Sequence, residues 1–149
     1  MLPLYNNNIF VHRLSFRTLS VPADTRIKTL CRTNKLQEAL DTFKHLLSPK
    51  STSIPSLITC NVLLSSLLRL NQHESVFSVY KLMIEGDIIP DLITLNIIIN
   101  CHCETGKMDY ALKVFEGMGE HGYVADVVTF TTLIKGNSES RTLSRFSNK

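Results

Sequence analysis

Apolar residues recur along this chain on two scales. Over short stretches they fall at i, i+3, i+4 and i+7, the spacing of one helix face. Leu95, Ile98, Ile99 and the half-apolar His102 form one such stripe; Met108, Ala111, Leu112 and Phe115 form the next, with Met118 beyond. On the longer scale the stripes themselves repeat. Ile58-Thr59-Cys60-Asn61 returns as Ile93-Thr94-Leu95-Asn96 and again as Val128-Thr129-Phe130-Thr131, at steps of 93 − 58 = 35 and 128 − 93 = 35 residues. Tyr80 and Met83 map onto Phe115 and Met118 at the same step. A fixed period in the range of about 20–50 residues marks stacked supersecondary units, none of which buries its apolar face alone.

The stripes predict two antiparallel helices in every 35 residues. The fold class is therefore all-α, an α-solenoid of stacked antiparallel helix hairpins. Full repeats span 57–91 and 92–126. The first of these supplies Cys60, Leu63, Leu64 and Leu67, then Val76, Val79, Tyr80 and Met83. Gly106 is the left-handed residue expected to end a first helix, and Asn71 and Asn34 take its place in the other units. Gly119, Gly122 and the Gly86-Asp87 pair are expected to close the second helices. Residues 20–56 read as a divergent repeat, aligned through Ala39 and Ala111 with an offset of 111 − 39 = 72, two periods plus two residues. The extra pair is expected in the polar loop Ser48–Ser53. Residues 127–136 form the first helix of an incomplete repeat, and 137–149 a polar tail. The unfinished end leaves apolar surface uncovered.

Composition narrows the picture. With 44% hydrophobic and 19% charged residues among 149, the chain is globular, not disordered. A net charge of +3 tolerates an anionic partner without demanding one. Cys31, Cys60, Cys101 and Cys103 show no paired C-x-x-C spacing, which points to a reducing compartment. The most apolar runs are too short for a membrane span of about 20 residues. Residues 1–19 carry His12, Arg13 and Arg17 and no acidic residue, the composition of an organellar presequence. Mitochondrion is the expected destination and chloroplast the alternative; a frayed tail is the plainer reading.

Candidate catalytic chemistry is thin. Cys101-His102-Cys103 with Glu104 suggests metal, but consecutive helical residues point in different directions and cannot close a tetrahedral site. The deaminase pattern H-x-E…P-C-x-x-C, a Gly-rich phosphate loop and a G-x-S-x-G elbow are all missing from the sequence. The reading is no enzyme, no cofactor and no metal. Phe43, Tyr80 and Phe115 lie on helical stripes and are expected in the core.

The segment Asp91-Leu-Ile-Thr-Leu-Asn96, followed by Gly106-Lys-Met-Asp-Tyr-Ala111-Leu-Lys-Val-Phe115-Glu-Gly-Met118, resembles the pentatricopeptide repeat of plant organellar proteins, in its plain 35-residue class. The resemblance covers about residues 20–136. A related 34-residue solenoid, the tetratricopeptide repeat, binds peptides, and its Trp, Leu-Gly and Tyr signature is missing from this Trp-free chain.

In the pentatricopeptide family each repeat addresses one base of single-stranded RNA through two or three side chains. The resemblance implies that the fifth residues, Asn61 and Asn96, bond the base edge, and that the last residues, Asp91 and Asp126, tune the choice. The Asn–Asp pair implies a pyrimidine with uracil preferred, and an Asn amide offers the donor and acceptor that uracil needs. The second residues Ile58, Ile93 and Val128 resemble the aliphatic wedges that sandwich bases. Thr131 would lean towards a purine. In the divergent repeat Asp24 and Ser56 take the reader positions, an unusual pair, and Pro22 disturbs the start of its helix. The family's phosphate position falls on Arg32 and Arg69, and on Glu104 in the third repeat, which opposes a phosphate. Two bases recur about once in 16 positions by chance, too often to select a transcript. The implied partner is single-stranded RNA. From another class stands a protein-binding scaffold that engages another helical-repeat protein or self-associates through the open C-terminal end; a truncated fragment is the third reading.

Overall fold

The computed structural model describes residues 18–19 and 21–147, with side chains over 21–142. Residues 1–17, which carry most of the presequence expectation, lie outside the described residues. Seven helices make up the described part: α1 (Val21–Arg32), α2 (Leu36–Leu47), α3 (Leu57–Arg69), α4 (His73–Glu85), α5 (Leu92–Glu104), α6 (Met108–Glu120) and α7 (Val127–Ser147). They form helix hairpins, and from α3 onward the expected 35-residue step holds without slippage, so the fold is an all-α helical repeat. None of them is long and apolar enough to cross a membrane. The chain divides between Pro90 and Asp91 into two compact units.

In the unit before Asp91, hairpin α1/α2 packs on hairpin α3/α4 through α1–α3, α2–α3 and α2–α4 contacts. The predicted stripes form the core: Cys60, Leu63, Leu64 and Leu67 of α3 and Val76, Val79, Tyr80 and Met83 of α4 are fully buried, as are Ile27, Ala39 and Phe43. Each hairpin turns on an asparagine with positive φ, Asn34 and Asn71, both at 56°. The backbone bonds Lys35 N–H to Leu30 O (2.9 Å) and Gln72 N–H to Leu67 O (2.9 Å) complete Schellman closures there. A short parallel bridge, unforeseen in the sequence, pairs β1 (Thr18–Leu19) with β2 (Ser53–Ile54). It occupies the 48–56 connection, which is longer than 86–91 or 121–126 and holds the extra residues. Pro22 does not disturb its helix. It sits in the first turn of α1, where a missing N–H has no intrahelical partner to lose.

In the unit from Asp91 onward, α5 and α6 form the hairpin and α7 packs across both. Gly106, at φ 70°, closes α5 as predicted. Second helices close where expected on the Gly86-Asp87 pair, with Asp87 at φ 60°, and on Gly122, at φ 80°; Gly119 instead lies inside α6. The buried face of α6 is Ala111, Val114, Gly117 and Met118. Leu112 is exposed and Phe115 half-buried, so Phe115 is not the core aromatic that the stripe suggests. Its ring meets Phe130 edge-on at 5.7 Å on the α7 side. Phe43 and Tyr80 are core residues as expected.

Helix α7 also departs from expectation. It does not stop at Gly136 with a polar tail beyond but continues to Ser147. Polar residues end an apolar stripe, not a helix, and Ser138 and Thr142 keep the turn geometry by bonding Ile134 O and Ser138 O. Gly136 serves close approach instead: a Cβ there would fall 2.5 Å from Cys103 Sγ and 2.6 Å from Cys103 Cβ. All four cysteines are buried thiols. Loss of solvation raises the pKa of Cys31 and Cys103 above the ordinary thiol value and pushes that of Cys60 to about 12.

Candidate nucleic-acid interface

Three of the inter-helix connections end in a residue that caps the following helix. Ser56 accepts Thr59 N–H (3.3 Å), Asp91 accepts Thr94 N–H (2.9 Å) and Asp126 accepts Thr129 N–H (2.9 Å). At the two aspartates the threonine hydroxyl oxygen takes the cap residue's own N–H in return, at 3.2 Å in both, a reciprocal box built from Asp and Thr. Thr59, Thr94 and Thr129 are all completely buried.

The third of these caps carries the site. Asn96, in the second turn of α5, donates from Nδ2 to Asp126 Oδ1 at 3.2 Å, while its Oδ1 accepts from Thr129 Oγ1 at 2.7 Å. The structure thus brings together Asn96 and Asp126, the predicted base-reading pair of residues 92–126. Asp126 is an exposed carboxylate held below the usual range, chiefly by the Thr129 N–H, then by the Thr129 hydroxyl, with a smaller share from the Asn96 amide. An amide has two donors and two acceptor lone pairs, so one N–H and one lone pair of Asn96 remain for a ligand.

The predicted wedge residues share one property. Ile58, Ile93 and Val128 are 68%, 59% and 57% exposed, large aliphatics left in water at the same register of three helices. Asn61 is buried in α3, and Asp91 caps α5. Thr131 is exposed on α7, and its hydroxyl donates to Val127 O at 2.6 Å. Arg32 and Arg69 are both exposed at the ends of α1 and α3. Arg69 Nη2 reaches Asn34 Oδ1 at 3.4 Å, so both cations lie near the same turn. Glu104 is exposed and accepts from Asn100 at 3.1 Å.

The divergent repeat is built otherwise. Asp24 is buried, and its carboxylate accepts the Ser56 N–H at 3.0 and 3.4 Å. It serves the backbone at the start of α3. Cys101, His102 and Cys103 belong to packing: His102 stacks on Tyr110 at 5.6 Å, and burial followed by the nearby Lys107 lowers its pKa to about 4. Among the described residues no cluster of His, Cys, Asp and Glu is arranged to hold a metal ion.

Sequence reasoning missed the threonines. Their signal was present in the recurrence of Ser56-x-x-Thr59, Asp91-x-x-Thr94 and Asp126-x-x-Thr129, a capping pattern at the 35-residue step.

The sequence profile described as the PPR repeat family matches residues 55–103 and 90–139, together more than half of the chain. The chain belongs to the pentatricopeptide repeat family. PPR solenoids are also its structural neighbours. The crystal structure of the pentatricopeptide repeat protein PPR10 from maize superposes with a TM-score of 0.65 at 22% identity, over 84% of this chain and 18% of that one. PPR10 in complex with an 18-nt psaJ RNA element gives 0.60 at 25% identity, over 76% and 16%. A C256S/C430S/C449S form of PPR10 with the same RNA element matches equally well. The chain thus spans less than a fifth of the length of these PPR structures. No curated protein sequence matches it significantly.

Proposed function

We propose that this chain binds single-stranded RNA without catalysis, in organellar RNA metabolism, addressing one base per repeat and preferring a pyrimidine, uracil first. The observation that carries the reading is the Asn96 amide, held by Asp126 and Thr129 with one donor and one acceptor left over. Uracil presents the matching acceptor and donor on its pairing edge. Exposed Ile93 and Val128 supply aliphatic surface for base faces, and Ile58 and Asn61 occupy the same positions in their own repeat. Asp91 stands where Asp126 stands, one period earlier. Arg32 and Arg69 supply cations for phosphates, Glu104 opposes them, and a strong salt dependence of RNA binding would favour this reading. PPR10 in complex with RNA supports the class of partner. Each well-placed bidentate contact adds about 1–3 kcal/mol, so two readers bind weakly.

Fluorescence anisotropy of the full chain with short U-rich and A-rich RNAs, at low and moderate salt, tests the reading. Tighter binding of U-rich RNA, shifted by Asn61→Thr and Asn96→Thr, is expected. Equal or absent binding by a soluble, helical sample sinks it. The acid-poor residues 1–19 are read as a mitochondrial import signal, with chloroplast the alternative; a fluorescent fusion of that segment that stays in the cytosol refutes this.

A second reading has its own observation. Phe130, Ile134 and Leu112 are exposed apolar side chains of α6 and α7, which favours a protein-binding surface. Concentration-dependent dimerisation in sedimentation, abolished by Ile134→Ser, would support it over RNA binding.

A further inference from the structure

We propose that Thr129 is a positioning residue for base choice: its hydroxyl, together with the Asp126 carboxylate, fixes the direction of the Asn96 amide and so makes this repeat discriminate uracil from cytosine. The inference rests on the reading of Asn96 as a base contact.

A free asparagine amide cannot make that distinction. Its oxygen and nitrogen ends are nearly the same size, and a half-turn about the last side-chain bond exchanges acceptor and donor. Uracil offers a donor at N3 and an acceptor at O4, whereas cytosine offers an acceptor at N3 and a donor at N4. The two edges are each other's reverse, so an amide free to turn suits both. Discrimination requires something in the protein to forbid one orientation.

The surroundings of Asn96 do this with two unlike groups. Asp126 Oδ1, an ionised acceptor, lies 3.2 Å from Asn96 Nδ2. Turning the amide would bring its carbonyl oxygen against that carboxylate. Thr129 Oγ1 lies 2.7 Å from Asn96 Oδ1 and 2.9 Å from Asp126 Oδ1, and accepts the Asp126 N–H at 3.2 Å. A hydroxyl has one proton, so it serves one of the two oxygens at a time; with Asn96 it is the donor that the carbonyl end needs. Asp126 is exposed and free to relax towards water, but Thr129 is 0% exposed and cannot swing away. Thr129 therefore ties the solvent-facing carboxylate and the amide into one fixed arrangement. The remaining N–H and lone pair of Asn96 then stand in a set order along the outer edge.

The equivalent buried threonine that follows the divergent repeat, Thr59, has no such duty. Thr59 Oγ1 accepts from Ser56 Oγ at 3.0 Å, while Asp24 takes the Ser56 N–H. A carboxylate has no donor end to orient.

The test compares wild type, Thr129→Val and Thr129→Ser as full chains, using anisotropy with U-rich, C-rich and A-rich RNAs and circular dichroism for helicity. Valine keeps the shape and removes the hydroxyl; serine keeps the hydroxyl. Thr129→Val is expected to lower the U-to-C affinity ratio about three- to tenfold, the worth of one hydrogen bond. Some preference survives through Asn61, and Thr129→Ser retains the wild-type ratio. A purely structural role would weaken all three RNAs together and leave the ratio alone. Should Thr129→Val not fold, Thr129→Cys replaces it, because a thiol is a weak donor that tolerates burial. A wild-type preference for U over C that survives in the folded Val or Cys variant overturns the inference alone. Equal binding of all three RNAs by wild type overturns the base reading and this inference with it.

Discussion

Asp24 and Asn96 stand at the same place in their repeats and differ in what the following connection offers them. Asn96 meets Asp126, an aspartate whose carboxylate can accept from its amide. Asp24 meets Ser56, and accepts the backbone N–H of that residue. An aspartate at 56 would set two carboxylates against each other, whereas serine adds no second charge and its backbone N–H goes to the Asp24 carboxylate. One position is thereby turned inward to hold the start of α3, and the other keeps a half-buried amide held by Asp126 and Thr129.

The largest test of this contrast acts on the helix pair behind the second arrangement. Gly136→Ala forces a methyl group against Cys103 and pushes α7 away from α5. The expected cost is about 3 kcal/mol in denaturant unfolding, at the upper end for overpacking. Because α5 carries Asn96 and α7 carries Thr129, the preference for U-rich RNA should fall with it.

The direct exchange comes next. Asp24→Ala leaves the Ser56 N–H without its partner and should cost roughly 1–3 kcal/mol in thermal or urea unfolding, with the base preference unchanged. Asn96→Ala should do the opposite, weakening U-rich binding by about fivefold or more while shifting stability little. If Asp24→Ala alters base preference, the contrast fails.

Acid should separate the two arrangements more gently. His102, buried in α5, has its pKa lowered from the ordinary 6.5 to about 4, by desolvation first and by Lys107 second. The unfolded chain binds the proton first, so stability is complete above pH 6.5 and declines as the pH falls to about 4. Asp126 is depressed below 3.8 and stays charged over that interval; its contribution is lost only as the pH falls through its lower value. The core beneath Asn96 thus weakens before its hydrogen bonds do. Melting curves of His102→Phe between pH 7 and 4.5 should show a smaller decline than wild type.

The smallest effect is a gain. Gly119 lies in α6 with open space where a Cβ would go, so Gly119→Ala should stabilise by up to about 1 kcal/mol. RNA binding should not change.

The parts of this fold that could be read in advance share a physical basis. Stripes at helical spacing and left-handed Asn34, Asn71 and Gly106 act over a few neighbouring residues, and both appeared where expected. Pairing Asn96 with Asp126 came from the family resemblance, and the fold brings the two within hydrogen-bond distance. What escaped depends on partners distant in sequence. Gly136 looked like a helix end because its reason is Cys103, on another helix. Phe115 and Leu112 looked like core because the stripe does not say which side of α6 faces α5 and α7. Asp24 became structural only through Ser56, and Thr129 acquired its second bond only when α7 lay against α5.

The four buried thiols divide evenly, Cys31 and Cys60 before Asp91 and Cys101 and Cys103 after it. A thiol-reactive reagent needs both access and an ionised sulfur, and burial denies the first while suppressing the second in Cys31, Cys60 and Cys103. Labelling therefore waits for local opening. Each half of the chain carries its own clock: the rate at which its pair of sulfurs is modified reports how often that half breathes, without any added probe.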